Sequence, residues 1–147
     1  RMCRKTENSK TEIVGPTYEV KISNARLRIR LDAVEIIEGD DGAKTAVIRK
    51  YKTGKSPKKI DPENADILMT VAVSENFTDA KPILHRIYLS DDSVKEVPIS
   101  SKVIKNRLEK YEKAATGIRE RKFDPVPSDN NCPHCAHFFI CPNKNKK

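Results

Sequence analysis

Three of the four cysteines in this 147-residue sequence lie in its last sixteen positions, at Cys132, Cys135 and Cys141, while the fourth is Cys3. Cys132 and Cys135 form a CxxC motif, which places two thiols on one tight turn. This spacing is typical of residues that bind one metal ion or one metal cluster. The sequence shows no secretion signal, so we expect a cytoplasmic protein with reduced thiols and favour metal binding over disulfides.

Two kinds of metal centre remain open. An iron–sulfur cluster usually takes four thiolates, so Cys3 would have to approach the other three cysteines. Residues 128–147 would then form a tail that closes back onto the N-terminus, and the free energy of binding would add to the stability of the fold. A zinc ion could instead take His134 or His137 as its fourth ligand.

A run of basic residues offers a second kind of chemistry. Six cations occur in eleven positions with no acid among them, at Arg49, Lys50, Lys52, Lys55, Lys58 and Lys59. The formal net charge of the chain is +8. Because Gly54 allows close approach of the backbone, the run predicts phosphate binding rather than a solvated face alone. The nucleotide-binding pattern GxxxxGK[ST] is absent, which argues against nucleotide hydrolysis.

The elements that must position these residues can be predicted from hydrophobic periodicity. Residues 1–16 show no element, and Gly15–Pro16 is a stop signal. Alternating residues predict strands over 17–23, 27–38 and 45–52, arranged as an antiparallel meander. A helix over 62–77 with Asp61 as its N-cap, strands over 82–89 and 94–98, and a long helix capped by Ser100 or Ser101 follow. The order predicts a single α/β domain over 1–147, with a mixed sheet flanked by helices.

No stretch approaches the roughly 20 apolar residues that a membrane-spanning helix needs, so we expect no membrane partner. His85 lies within a predicted strand, and we interpret it as a structural residue.

Three segments together resemble one nuclease family. Leu31-Asp32-Ala33-Val34-Glu35, the segment from Ala46 to Lys55, and the C-terminal CxxC-x5-CP motif resemble the RecB-type PD-(D/E)xK nucleases over residues 17–142. The closest likeness is to the iron–sulfur branch: the AddB nuclease domain, CRISPR-associated exonucleases and the C-terminal nuclease domains of UvrD-like helicases. The resemblance implies a restriction-endonuclease-like mixed sheet and a 4Fe-4S cluster on Cys3, Cys132, Cys135 and Cys141. It also implies DNA as partner, as single strands or duplex ends, and a helicase or another subunit of a repair or defence assembly.

The resemblance assigns catalytic positions, and one of them is changed. The first acid would be Asp32, and the acid–x–Lys pair is written here as Lys50-Tyr51-Lys52. Replacing a carboxylate by an ammonium changes the charge by two units, each worth roughly 4 kcal/mol at ~4 Å and an effective dielectric of ~20. We therefore expect no Mg²⁺ at this position. Glu35 is an odd number of positions from Asp32 and should face the other side of a regular strand.

The replacement at Lys50 predicts a DNA-binding domain whose cleavage site is inactive, with Asp32 held by an ion pair to Lys50 or Lys52. One alternative is an active Mg²⁺- or Mn²⁺-dependent DNA exonuclease with rearranged acids. Another is a zinc-knuckle interaction module that does not meet nucleic acid.

Overall fold

The computed structural model describes residues 10–23, 25–122, 128–130, 132–137 and 140–141. In this part of the chain lie seven strands, two α-helices and a short 3-10 helix. The strands are β1 (Lys10–Val14), β2 (Thr17–Ile22), β3 (Ala25–Arg30), β4 (Ala33–Glu38), β5 (Lys44–Lys52), β6 (Ala80–Tyr88) and β7 (Ser93–Glu96). The helices are α1 (Asn64–Asn76) and α2 (Ser101–Arg119), and the 3-10 helix is Cys132–His134.

The first four strands form one long, bent antiparallel hairpin. β1 pairs with β4 and β2 pairs with β3, and the register is continuous across the break, since Val14 faces Ala33 and Thr17 faces Arg30. At the bend, the Gly15 N–H donates to the Asp32 carbonyl at 2.8 Å and the Leu31 N–H donates to the Pro16 carbonyl at 2.9 Å. The hairpin therefore stays paired while its two halves enter different sheets.

This bend corrects two predictions. Residues 1–16 were expected to contain no element, but β1 lies before Gly15, whose φ of +62° is the left-handed conformation that glycine adopts without strain. The predicted strand over 27–38 is divided at Leu31–Asp32. The predicted antiparallel pairings of consecutive strands are observed as β2–β3 and β4–β5, but their arrangement in one meander sheet is wrong, because β3 belongs to a separate two-stranded sheet with β2.

The mixed central sheet is confirmed. Its five strands lie in the order β1-β4-β5-β6-β7, with β5 and β6 parallel and all other neighbours antiparallel. A parallel pair needs a crossover connection, and α1 lies in it.

Helix α1 is buried between the two sheets. Met69 and Val73 pack with Val34, Ile48 and Leu84 of the central sheet, whereas Leu68 and Ala72 pack with Val20 and Ile22 of the hairpin. A helix covered on both sides carries apolar residues around its circumference rather than on one stripe. The β2–β3 half of the hairpin consequently has one face packed on α1 and the other face exposed to solvent.

Helix α2 begins where the sequence predicted, and the Ser100 hydroxyl accepts the Val103 N–H at 3.4 Å. Two residues of its apolar stripe, Leu108 and Tyr111, pack against the cluster around Val20 and Ala72. The chain divides into two compact units, Arg1–Glu112 and Lys113–Lys147. In the ranges given above, no helix has the length and apolar character that crossing a membrane requires.

Candidate functional site

Asp32 lies at the bend of the long hairpin, one residue before β4. Its side chain is exposed, and its Oδ2 accepts the backbone N–H of Tyr51 at 2.9 Å. The β4–β5 ladder ends at Ala33 and Arg49, so the Asp32 carboxylate supplies an acceptor where the ladder no longer does. The expected ion pair with Lys50 or Lys52 is wrong, because both ammonium groups bind carboxylates of the α1 region instead.

Lys50 and Lys52 lie two positions apart on β5 and share one face of the sheet. Lys50 Nζ lies 2.7 Å from Glu63 Oε2 and 2.8 Å from Asp66 Oδ1, and Lys52 Nζ lies 2.9 Å from Glu63 Oε1. Arg86, beside Lys50 on β6, binds the other oxygen of Asp66. We call these five residues, Lys50, Lys52, Glu63, Asp66 and Arg86, the charge cluster.

The start of α1 delivers the two acids. Glu63 is the N-cap residue, whereas the sequence predicted Asp61, and Asp66 Oδ2 accepts the Glu63 N–H at 2.7 Å. Acids at the N-terminal turn are favoured by the helix dipole. Neither Glu63 nor Asp66 was predicted as a site residue, and Arg86 was missed as well. One feature of the sequence could have indicated this site. Asp66 is an acid within the otherwise apolar stretch of α1, and the structure shows that this helix is buried.

Hydrogen bonds within the charge cluster stabilise the ionised forms of Lys50 and Glu63. Burial lowers the pKa of the Lys50 ammonium, but hydrogen bonds to Asp66 and Glu63 outweigh burial and raise that pKa above its usual value. The hydrogen bonds from Lys50 and Lys52 lower the pKa of Glu63 to about 2. Lys50 is therefore a cation at neutral pH, and its side chain is only 12% exposed while that of Asp66 is fully buried.

Arg49 and Glu35 occupy the opposite face of the central sheet. The Arg49 guanidinium binds the Glu35 carboxylate and lies 3.2 Å from Glu12 Oε1 on β1. Glu35 is buried and has Val47 as its partner in register, whereas Val34, on the α1 face, has Ile48. Glu35 therefore faces away from the side of the sheet on which Lys50 lies. His85, next to Arg49 in the ladder, is half-buried.

The remaining cations of the basic run lie on the loop after β5. The Asp91 carboxylate fixes this loop by accepting the Ser56 N–H at 3.0 Å, and that hydrogen bond, with one from Ser93, lowers the pKa of Asp91 to about 2. Lys59 lies 3.1 Å from Asp61, whereas Lys55 and Lys58 are exposed and form no ion pair within the described part of the chain.

The sequence suggested that no acid balances the basic run. The structure shows instead that acids distant in the sequence pair with several of its cations. Acids from β1, β4 and the start of α1 neutralise three of its six cations, namely Arg49, Lys50 and Lys52, whereas Lys59 forms only an exposed pair with Asp61.

The C-terminal cysteines lie on and after the 3-10 helix. The Cys132 sulfur accepts the Ser128 N–H at 3.1 Å, and the Cys135 N–H donates to the Cys132 carbonyl at 3.2 Å. Among the residues described, no three His, Cys, Asp or Glu side chains form a group that could hold a metal ion. Cys3 lies outside those residues, so the four-cysteine site and the closing tail stay predictions.

The family is decided by a match over almost the whole chain. Residues 2–142 match the model of the PD-(D/E)XK nuclease superfamily. The chain belongs to this superfamily. The sequence resemblance implies that the acid–x–Lys pair lies at Lys50 and Lys52, which belong to the charge cluster, with Asp32 close by.

Other comparisons add little to the superfamily assignment. The solved structure of SSO0001 is similar, with 20% sequence identity and a TM-score of 0.42. The likeness covers 90% of this chain but only 61% of that one. No curated protein sequence matches this chain.

Proposed function

We propose that this domain binds DNA and does not cleave it. The single observation that carries the proposal is the environment of Lys50. At the position where the superfamily resemblance places a metal-binding acid, this chain holds an ammonium group between two carboxylates.

The charge cluster opposes a divalent cation on electrostatic grounds. Each ion–ammonium approach to ~4 Å costs roughly 4 kcal/mol per unit of charge at an effective dielectric of ~20. Glu63 and Asp66 cannot act as replacement ligands without losing hydrogen bonds to Lys50, Lys52 and Arg86. The residues present therefore do not fit a catalytic metal ion, and no cleavage step is derived through one.

DNA binding is supported by the superfamily, by the net charge of +8 and by two exposed lysines beside the charge cluster. Lys55 and Lys58 follow Lys52 on the loop that Asp91 holds in place. They are the cations of the basic run that keep their charge available to a phosphate.

The test combines cleavage and binding in one set of samples. Purified protein is incubated with labelled single-stranded and double-stranded DNA in the presence of Mg²⁺ or Mn²⁺, and binding is followed by fluorescence anisotropy as salt is varied. We expect salt-dependent binding and intact DNA. DNA degradation that disappears in Asp32→Ala would overturn the proposal and support the active exonuclease. Absence of salt-dependent binding would favour the interaction module.

We also propose that Cys132, Cys135 and Cys141 bind a metal centre, with an iron–sulfur cluster preferred over zinc. The chemistry of three thiols within ten residues supports this, and so does the N–H donated to the Cys132 sulfur. Metal analysis should find about four iron per chain, lost in Cys132→Ser and Cys135→Ser. Stoichiometric zinc without iron would refute the cluster. A comparison of the metal content of Cys3→Ser with that of His137→Ala identifies the fourth ligand.

A place in a helicase–nuclease, repair or defence assembly is the corresponding proposal for its partners. Copurification of the full-length protein with a helicase subunit would support it, and a free monomer in the native extract would count against it.

A further inference from the structure

The solvent face of the β2–β3 hairpin carries a row of arginines that the candidate site does not include. Arg26, Arg28 and Arg30 alternate along β3 with the half-buried Ala25, Leu27 and Ile29. All three arginines are exposed, and Lys21 on β2 lies directly opposite Arg26 in the register. We call Lys21, Arg26, Arg28 and Arg30 the arginine ladder.

The ladder carries an excess of positive charge. The other two outward residues of β2 are Thr17 and Glu19, so four cations face one acid and the surface has a net charge of +3. Glu19 lies 3.2 Å from Arg28, but that pair is exposed, with Arg28 74% accessible, and such pairs are weak. Arg26 and Arg30 form no ion pair within the described residues. This contrasts with the basic run on β5, where acids neutralise most of the cations.

The direction of the ladder connects it to the candidate site. β3 runs from Arg26 to Arg30 and reaches Asp32 two residues later, at the bend of the hairpin. The Arg30 guanidinium lies over Gly15 at this bend, where a Cβ on Gly15 would be 3.4 Å from Arg30 Nη2. A nucleic-acid strand bound along the arginine ladder would therefore extend to the end of the central sheet, where Asp32 binds the Tyr51 N–H.

The spacing of the ladder suits a nucleic-acid strand. Residues two apart on an antiparallel strand are separated by about 6.8 Å. A B-form strand advances about 3.4 Å along its axis per phosphate, but its backbone also winds around the axis, so neighbouring phosphates are separated by roughly twice that distance and successive arginines can match them. The guanidinium group binds phosphate with two parallel hydrogen bonds, which lysine cannot do. The other face of the hairpin is fixed on α1 through Val20 and Leu68, so the arginines stand on a supported surface.

We propose that the arginine ladder is a phosphate-binding track that holds one DNA strand and leads it to the degenerate cleavage site. The inference rests on the proposed function, since it names the surface by which the domain holds DNA. It also places the main contact on β3 rather than on the loop after β5.

The experiment uses three variants of the whole chain. The first is Arg26→Gln/Arg28→Gln/Arg30→Gln. The matched control is Lys102→Gln/Lys105→Gln/Lys110→Gln, which removes the same charge from exposed positions of α2. The third, Lys55→Gln/Lys58→Gln, measures the loop after β5. Thermal unfolding verifies that all three fold like the wild type, because every substituted side chain is exposed.

Binding of a single-stranded oligonucleotide and of a duplex is measured between 0.05 and about 0.2 M salt. Three lost contacts to a single strand should reduce the slope of log affinity against log salt by about 2, which at 0.1 M corresponds to about 100-fold weaker binding. The α2 control variant should show only a small part of this decrease in DNA affinity, because its net charge is lower.

The outcomes separate the two proposals. If the wild type shows no salt-dependent binding, the proposed function and the ladder both fail. If the wild type binds and the ladder variant matches the α2 control, only the ladder is overturned, and a loss confined to the loop variant places the contact there. If polyglutamate displaces DNA at equal charge, the ladder serves an acidic protein surface and the proposal is also overturned.

Discussion

Replacing Lys50 by methionine tests whether the charge cluster holds α1 against the central sheet. Methionine keeps most of the apolar stem of lysine and removes only the ammonium group. Glu63 then retains Lys52 and Arg86, and because it is 44% exposed the lost contact is worth less than about 1 kcal/mol. Asp66 is fully buried and loses one charge-assisted hydrogen bond, worth about 1.5–3 kcal/mol, but keeps Arg86. The two losses together predict a decrease of about 1.5–4 kcal/mol in the free energy of unfolding.

The matched control is Lys52→Met. Lys52 is 34% exposed and, among the described residues, forms ion pairs with Glu63 alone, so we expect a decrease below about 1 kcal/mol. Both variants are compared with the wild type by urea denaturation, with the slope against urea checked for constancy. A Lys50→Met protein that is as stable as the wild type, or no less stable than Lys52→Met, would refute the assignment of an anchoring role to the charge cluster.

Three further predictions concern the same region. Lys50→Asp should be destabilised in EDTA and regain about 1.4 kcal/mol of unfolding free energy when Mg²⁺ or Mn²⁺ reaches tenfold above its dissociation constant, whereas the wild type should gain nothing in the same titration. The pKa of Glu63 is lowered to about 2 in the folded chain, so its contribution to stability is complete above about pH 5 and is lost as pH falls towards 2. Glu63→Gln should flatten the decline of urea midpoints over that pH range, and an unchanged pH profile would contradict the ion pairs of Glu63 with Lys50 and Lys52. Gly15→Ala and Gly42→Ala should each lose about 1 kcal/mol, because both glycines have positive φ, and a far larger loss in Gly15→Ala by thermal unfolding would show that Arg30 cannot yield to a Cβ.

Hydrophobic periodicity predicted most strands and helices, because in these elements the apolar side of the sequence pattern is also the side that is buried in the fold. β5 and β6 were predicted within two residues at either end, and α2 was predicted to start at its observed N-terminus. What periodicity could not show is that the paired strands divide between two sheets. Residues 27–38 read as one alternating strand, and nothing in that alternation reveals that its first half faces α1 from one sheet and its second half from another.

The site was predicted in part, for a comparable reason. The resemblance implies that Lys50 stands in place of an acid, and alternation predicted that Glu35 faces the other side of the strand from Asp32. The partners of Lys50 could not be predicted, because Glu63 and Asp66 lie more than ten residues away and are brought to β5 only by the position of α1. The absence of acids within the basic run was for this reason a poor guide to its net charge.

Charge balance links the fold and the function of this end of the sheet. The charge cluster holds three cations and two acids, and Asp32, bound to the Tyr51 N–H between Lys50 and Lys52, brings the total to zero. With an acid at position 50 the same set would carry a charge of −2, which equals the charge that one divalent cation neutralises. A cluster with no net charge does not attract a metal ion electrostatically, and it does not attract DNA strongly either. If the domain holds DNA, the positive charge that does so must lie beside the cluster rather than within it, and the exposed cations nearest in the chain are Lys55 and Lys58 on one side and the arginine ladder on the other.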